Sequence, residues 1–245
     1  FDEWGRAGGF PFLAANIVDK RTGDIPAWAK PYVVYKVGGR TIAFIGLSTL
    51  ETPSSVAARN IADYEFTETS VAALKWSNYL RTTYKPDVII GLTHIPSAVD
   101  GLDRSRAVTA GEDGELERLA KRGGLDAIIT GHSHNSVNAK THGVPVLQAS
   151  YYGRAFGRIR LAFKEGGGVS ISTSLVEFWQ EKAELPADAE IAGMIDSYMA
   201  EHGQGFLERV AVVEGELAHD RLLTPNVTPM GAWVCSVLRE RYGAD

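Results

Sequence analysis

Apolar and polar positions divide the chain into short β-branched runs alternating with helical stretches, the pattern of an α/β sheet rather than of an all-β sandwich. Tyr32 to Val37 and Thr41 to Leu47 flank Gly38-Gly39, and paired glycines supply the positive φ angles of a tight hairpin. From Thr67 to Tyr84, the residues Val71, Leu74, Leu80 and Tyr84 recur at helical spacing, with Thr67 as N-cap and Pro86 as the stop. Asp87 to Leu92 follows as a run apolar on both faces, which predicts a central, buried strand. A helix over Glu115 to Arg122 and a strand over Asp126 to Ile129 repeat that helix–strand unit. Between the two units, Ala98 to Gly114 is rich in Gly, Asp, Ser and Arg and has no period, as expected of an active-site or binding loop. Val144 to Ala149, Gly157 to Phe163 and Val169 to Phe178 read as further strands, mostly antiparallel by their short connections.

Glu181 to Asp188 is polar and contains a proline, which marks a boundary. Beyond it, a helix is expected over Glu190 to His202, a strand over Val210 to Glu214 and a helix over Gly231 to Tyr242. The chain starts at Phe1 and stops after Gly243-Ala244-Asp245 as though cut from something longer, so it reads as a fragment.

Composition narrows the function classes. With 245 residues, 44% of them hydrophobic, the chain can bury a substantial core. A net charge of -5 without a Lys/Arg cluster argues against nucleic-acid partners. An anionic substrate would then need another source of positive charge, and bound metal cations are the natural one. Cys235 is the only cysteine, so a metal site must be built from histidines and carboxylates. No apolar run approaches the ~20 residues needed to span a bilayer.

Three of the six histidines follow the two apolar strands directly, in Gly91-Leu92-Thr93-His94 and Thr130-Gly131-His132-Ser133-His134. Sites in parallel α/β sheets lie beyond the carboxyl ends of the strands, and neutral imidazole is a good transition-metal ligand. If the second segment stays extended, His132 and His134 point to the same side. His142, His202 and His219 lack this setting and read as surface residues. A single zinc ion with three imidazoles and an open position is one arrangement; a two-metal site is another and needs a bridging carboxylate. Asp87 precedes His94 along the same strand and lies about 20 Å from it at ~3.3 Å per residue. Asp126 stands likewise to His132. The carboxylates must come from Asp100, Asp103, Glu112 or Asp113 in the loop, or from residues preceding Phe1.

The motifs together resemble those of calcineurin-like metallophosphoesterases, specifically their 5'-nucleotidase branch. Phe1-Asp2 is similar to the end of that branch's Gly-Asn-His-Glu-Phe-Asp motif, and Phe10-Pro11-Phe12-Leu13-Ala14-Ala15-Asn16-Ile17 to the segment after it. Gly46-Leu47, Gly91-Leu92-Thr93-His94, Gly131-His132-Ser133-His134 and Gln148-Ala149 with Gly153 and Gly157 follow in the family's order. Gly231 to Asp245 resembles the opening of the family's C-terminal substrate domain.

The resemblance implies a metallophosphoesterase-type α/β sandwich of mixed sheets flanked by helices, lacking its N-terminal strands and followed by the start of a second α/β domain. It implies a catalytic domain over residues 1–183, a linker helix over 184–203 and the beginning of a substrate domain over 204–245. It also implies two divalent metal ions (Zn, Mn, Fe or similar), with His94 and His132 on the second and His134 on the first. Asp2 would orient the catalytic histidine. The implied reaction is hydrolysis of a phosphate ester, foremost a nucleotide, by metal-bound hydroxide, in the periplasm or outside the cell. The family's Asp-x-His, Gly-Asp and Gly-Asn-His-Glu motifs and its nucleobase-clamping aromatics are absent from these residues, and Ala232 and Ser236 stand where the family has Asn and Asp. The 245 residues by themselves are therefore expected to turn over little substrate. A mononuclear zinc hydrolase and a non-catalytic ligand-binding domain are the competing readings.

Overall fold

The computed structural model describes residues 2–97, 114–178, 186–209, 212–218 and 228–243, the side chains of residues 2, 206 and 207 excepted. It divides into two compact units, Phe1–Ala183 and Glu184–Asp245.

The first unit is organised by a six-stranded sheet of β2 (Tyr32–Val37), β3 (Arg40–Ser48), β5 (Val88–His94), β6 (Ala127–Ile129), β8 (Val144–Ala149) and β7 (Ser136–Thr141), in that spatial order. β3, β5, β6 and β8 run parallel, while β2 and β7 close the edges antiparallel. The hairpin joining β2 to β3 forms as expected, with Gly38 and Gly39 at φ 56° and 74°. β8 departs from the expected antiparallel arrangement on one side, since it lies parallel to β6. β7 is a strand that the sequence pattern does not announce. Its Ser-Val-Asn-Ala-Lys-Thr sequence is polar because it is an edge, and Val137 is its one buried residue.

One face of this sheet carries α4 (Thr69–Thr83) and α5 (Glu115–Arg122), with Ala43, Ile45, Ile89 and Ile128 packed under Ala73, Leu80, Leu116 and Leu119. The helical stripe predicted for α4 is partly overturned. Val71 and Leu74 face solvent at 65% and 42% exposure, and the buried face is Thr69, Ser70, Ala72, Ala73, Ser77 and Leu80. Small side chains let the helix sit close to its neighbours, so the larger apolar residues are left outside. Nor is Thr67 the cap: its N–H and hydroxyl both donate to the Asn16 carbonyl, and Glu68 occupies the N-cap position.

The opposite face is covered by the antiparallel hairpin β9 (Ala155–Phe163) and β10 (Val169–Glu177). Ile159, Leu161, Phe163, Val169 and Ile171 pack there on Val88, Ile90 and Ala127. β1 (Ile17–Asp19) and β4 (Tyr64–Phe66) form a small separate ribbon. Of the remaining helices in this unit, α1 is Asp2–Gly8, α2 is Thr52–Ser55 and α3 is Ala58–Ile61.

The second unit contains α6 (Ala189–His202), α7 (Gln204–Leu207) and α8 (Pro229–Tyr242). Asp188 caps α6 by accepting from the N–H groups of Glu190 and Ile191. Thr228 caps α8 with Pro229 at the start of the helix, and Gly243 closes it in the left-handed region. The strand expected over Val210 to Glu214 does not form at residues 212–214; positions 210 and 211 lie outside the described residues.

Candidate functional site

Side chains alternate along β5, so Val88, Ile90, Leu92 and His94 share the face on which the β9–β10 hairpin packs. The hairpin covers Val88 and Ile90 but leaves Leu92 45% exposed. Beyond it the face opens into a cleft of about 960 Å³, whose apolar wall includes Phe12, Leu13, Phe44, Leu47 and Leu92 and whose polar end includes His94.

The next parallel strand, β6, brings its own carboxyl end alongside. The rings of His94 and His132 lie 5.1 Å apart, centroid to centroid, with their planes perpendicular. Gly131 makes the approach possible, because a Cβ there would stand 3.0 Å from Nδ1 of His94. Burial, and then the neighbouring His132 and His134, pull the pKa of His94 below the ordinary histidine value. The ring is therefore neutral at physiological pH, which is the form that donates to a metal.

The segment that carries the pair is not extended. His132 and His134 have φ of 82° and 56°, left-handed conformations that cost a non-glycine residue of order 1–3 kcal/mol each. The extended segment under which both rings would point to one side is therefore not formed: His132 lies against His94, and His134 stacks on Tyr151 at 5.2 Å and 20° between planes. Ser133 holds the twist. Its hydroxyl accepts from the Ser97 N–H (3.1 Å) and from Nε2 of the buried Gln148 (3.1 Å), which also donates to the Asn135 carbonyl (2.8 Å). Thr93 and Thr130 tie the two strand ends together through their hydroxyls at 2.9 Å.

The loop after β3 adds a carboxylate. Oε2 of Glu51 lies 3.1 Å from Nε2 of His132. Asp87 and Asp126 are at the other ends of their strands, as the strand geometry requires: Asp87 accepts from the Thr41 N–H and pairs with Arg40, while Asp126 accepts from the Ile89 N–H and pairs with Arg81. Asp100, Asp103, Glu112 and Asp113 fall outside the described residues, as do His219 and the side chain of Asp2. His142 pairs with Glu117 and His202 with Glu201. Among the described residues, no group of three or more His, Cys, Asp or Glu side chains converges closely enough to hold an ion. In donor type the histidines fit a divalent transition metal; in number they supply part of a ligand set.

Sequence pattern alone singles out His94, His132 and His134 as candidates, but not Glu51, Ser133 or Thr130. Glu51 and His132 are 81 positions apart, and nothing in a loop glutamate signals such a partner. Ser133 sits inside the His-x-His segment and could have been noticed as a hydroxyl placed to fix it.

The family model described as calcineurin-like phosphoesterase matches residues 5–136. A 5'-nucleotidase of Vibrio vulnificus is 27% identical over 99% of this chain and 49% of its own length. Protein UshA of Escherichia coli is 29% identical over 100% of this chain and 49% of its own length. The chain thus spans about half the length of these curated relatives. Among solved structures, a 5'-nucleotidase precursor from Thermus thermophilus has the same fold, with a TM-score of 0.66 at 21% identity over 86% of this chain and 41% of that one. SoxB from Thermus thermophilus gives 0.64 at 21% identity, over 82% and 34%. The mixed sheet with its flanking helices and the matched residues lead to one conclusion: the chain belongs to the calcineurin-like phosphoesterase family.

Proposed function

We propose that these residues belong to a metal-dependent phosphoesterase acting on nucleotides, with His94, His132 and His134 as ligands to two divalent ions. The observation that carries this is the perpendicular pairing of His94 with His132 at the ends of two adjacent parallel strands, with His94 beside an open cleft. The substrate class follows from relatives named 5'-nucleotidase that match nearly the whole chain. In this reading, residues 1–183 are catalytic, 184–203 a linker helix and 204–245 the start of a substrate-binding domain, and Asp2 orients a catalytic group.

Bound divalent ions supply positive charge for the phosphoryl oxygens and acidify water. The chain's own contribution is placement. Gly131 admits the close approach of the His132 segment to His94 at the polar end of the cleft, and the Ser133–Gln148 bond fixes the segment that carries His132 and His134. Residence in the periplasm or outside the cell is part of the same reading; among the described residues, no helix is long and apolar enough to cross a membrane.

The decisive experiment assays AMP and p-nitrophenyl phosphate hydrolysis by the full-length protein with Zn²⁺, Mn²⁺ and after chelation, with metal content measured in parallel. Metal-dependent release of phosphate from AMP, lost in His132→Ala, supports the proposal. Metal-independent turnover, or a single tightly bound ion at full activity, overturns the two-metal reading. The 245 residues alone are expected to show little turnover.

A further inference from the structure

We infer that Glu51 is a positioning residue that fixes the tautomer and aim of His132, an inference that rests on the reading of His132 as a metal ligand. A carboxylate only accepts, so the 3.1 Å contact between Oε2 of Glu51 and Nε2 of His132 places the ring proton on Nε2. In the neutral ring the lone pair is then on Nδ1, leaving one nitrogen free to face a metal. Histidine ligands characteristically give their other N–H to a carboxylate in this way, which orients the ring and raises its basicity.

The position of Glu51 is built. Both of its backbone groups are committed: its N–H donates to Oγ1 of Thr49 (3.2 Å), and its carbonyl accepts from the N–H (3.0 Å) and hydroxyl (2.8 Å) of Ser54. Thr49 is itself buried and donates its hydroxyl to Oε2 of Glu115 (2.8 Å), while the Leu50 N–H reaches both oxygens of the same carboxylate at 3.2 Å. On the other side of the turn, Ser48 is clamped by the fully buried Asn16, which accepts from its N–H and donates to its carbonyl. α5 thus begins with a carboxylate that anchors the turn after β3, and that turn delivers a second carboxylate to the histidine after β6. Two acids with the same side chain act in series, one on backbone and one on imidazole.

The test uses the metal-free protein first. Long-range ¹H–¹⁵N correlation of the imidazoles should show His132 in the Nε2–H form. Glu51→Ala should shift it to a mixture of tautomers, and Glu51→Gln, whose amide oxygen still accepts, should restore it. Calorimetric titration with Zn²⁺ should then show affinity about 10–100-fold weaker in Glu51→Ala, a smaller loss in Glu51→Gln, and a larger one in His132→Ala. An unchanged His132 tautomer in Glu51→Ala overturns the inference whatever the titration gives. Undiminished Zn²⁺ affinity in His132→Ala instead removes the ligand reading, and the role of Glu51 with it, even if the tautomer responds.

Discussion

At the amino ends of β5 and β6, polar residues serve the backbone. Asp87 receives the Thr41 N–H at 2.8 Å and Asp126 the Ile89 N–H at 2.7 Å, each with an arginine beside it. At the carboxyl ends of the same strands, His94 faces a cleft, its pKa is pulled down, and the residues after β6 adopt left-handed conformations. The sheet spends its carboxylates where they relieve unpaired N–H groups and its strain where a ligand would sit. Stability and chemistry are thereby assigned to opposite ends of two adjacent parallel strands.

Substitutions can break that division. The largest effect is expected from His94→Ala, which should weaken Zn²⁺ binding by more than about 100-fold and leave the melting temperature of the metal-free protein nearly unchanged. Asp126→Ala should do the reverse: stranding the buried Ile89 N–H costs about 2 kcal/mol, read by urea unfolding, with Zn²⁺ affinity within about twofold. A large loss of metal binding in Asp126→Ala would show that the two ends are coupled. Gly131→Ala sharpens the comparison, because its Cβ would press on Nδ1 of His94 at 3.0 Å. It should cost about 1 kcal/mol and also weaken Zn²⁺ binding, one of few changes to affect both readouts.

The smallest effects are in pH. His94 has a folded pKa below its ordinary value of 6.5, so the folded state resists its protonation. Its contribution to stability is present above that value and is lost as pH falls through the lowered one. Asp87 is also lowered, chiefly by the Thr41 N–H bond, from 3.8, so its contribution persists at neutral pH and disappears only in stronger acid. Unfolding followed by denaturant between pH 7 and pH 3 should show two separate windows. His94→Gln should remove the upper one, and Asp87→Asn should shrink the lower, to which Asp19 and Glu68, also lowered, contribute as well.

Much of this arrangement was legible in the sequence for a physical reason. β5, β6 and α5 lie in the interior, where burial on two faces forces a continuous apolar run or a clean helical stripe, and Gly38-Gly39 admits few alternatives. The illegible parts are those where burial is not the governing force. β7 is polar because it is an edge, and β1 and β4 are three residues each. In α4 the buried face, Leu80 apart, is made of small residues that carry little hydrophobic signal. The histidines were visible as a motif, but their backbone twist was not, because it is imposed by Ser97 and Gln148 from elsewhere in the chain.

The small-residue face of α4 has a consequence for how the sequence can drift. A Cβ on Gly124 would come within 2.5 Å of the Ser77 hydroxyl, and one on Gly123 within 3.2 Å of the Ala73 methyl. Replacement libraries at Ala73 and Ser77 should therefore accept almost nothing larger than the native side chain, whereas Val71 and Leu74, bigger and apolar, should accept nearly any residue. Along this helix hydropathy is a misleading guide to mutational tolerance, and the positions that look least important in the sequence are the most constrained.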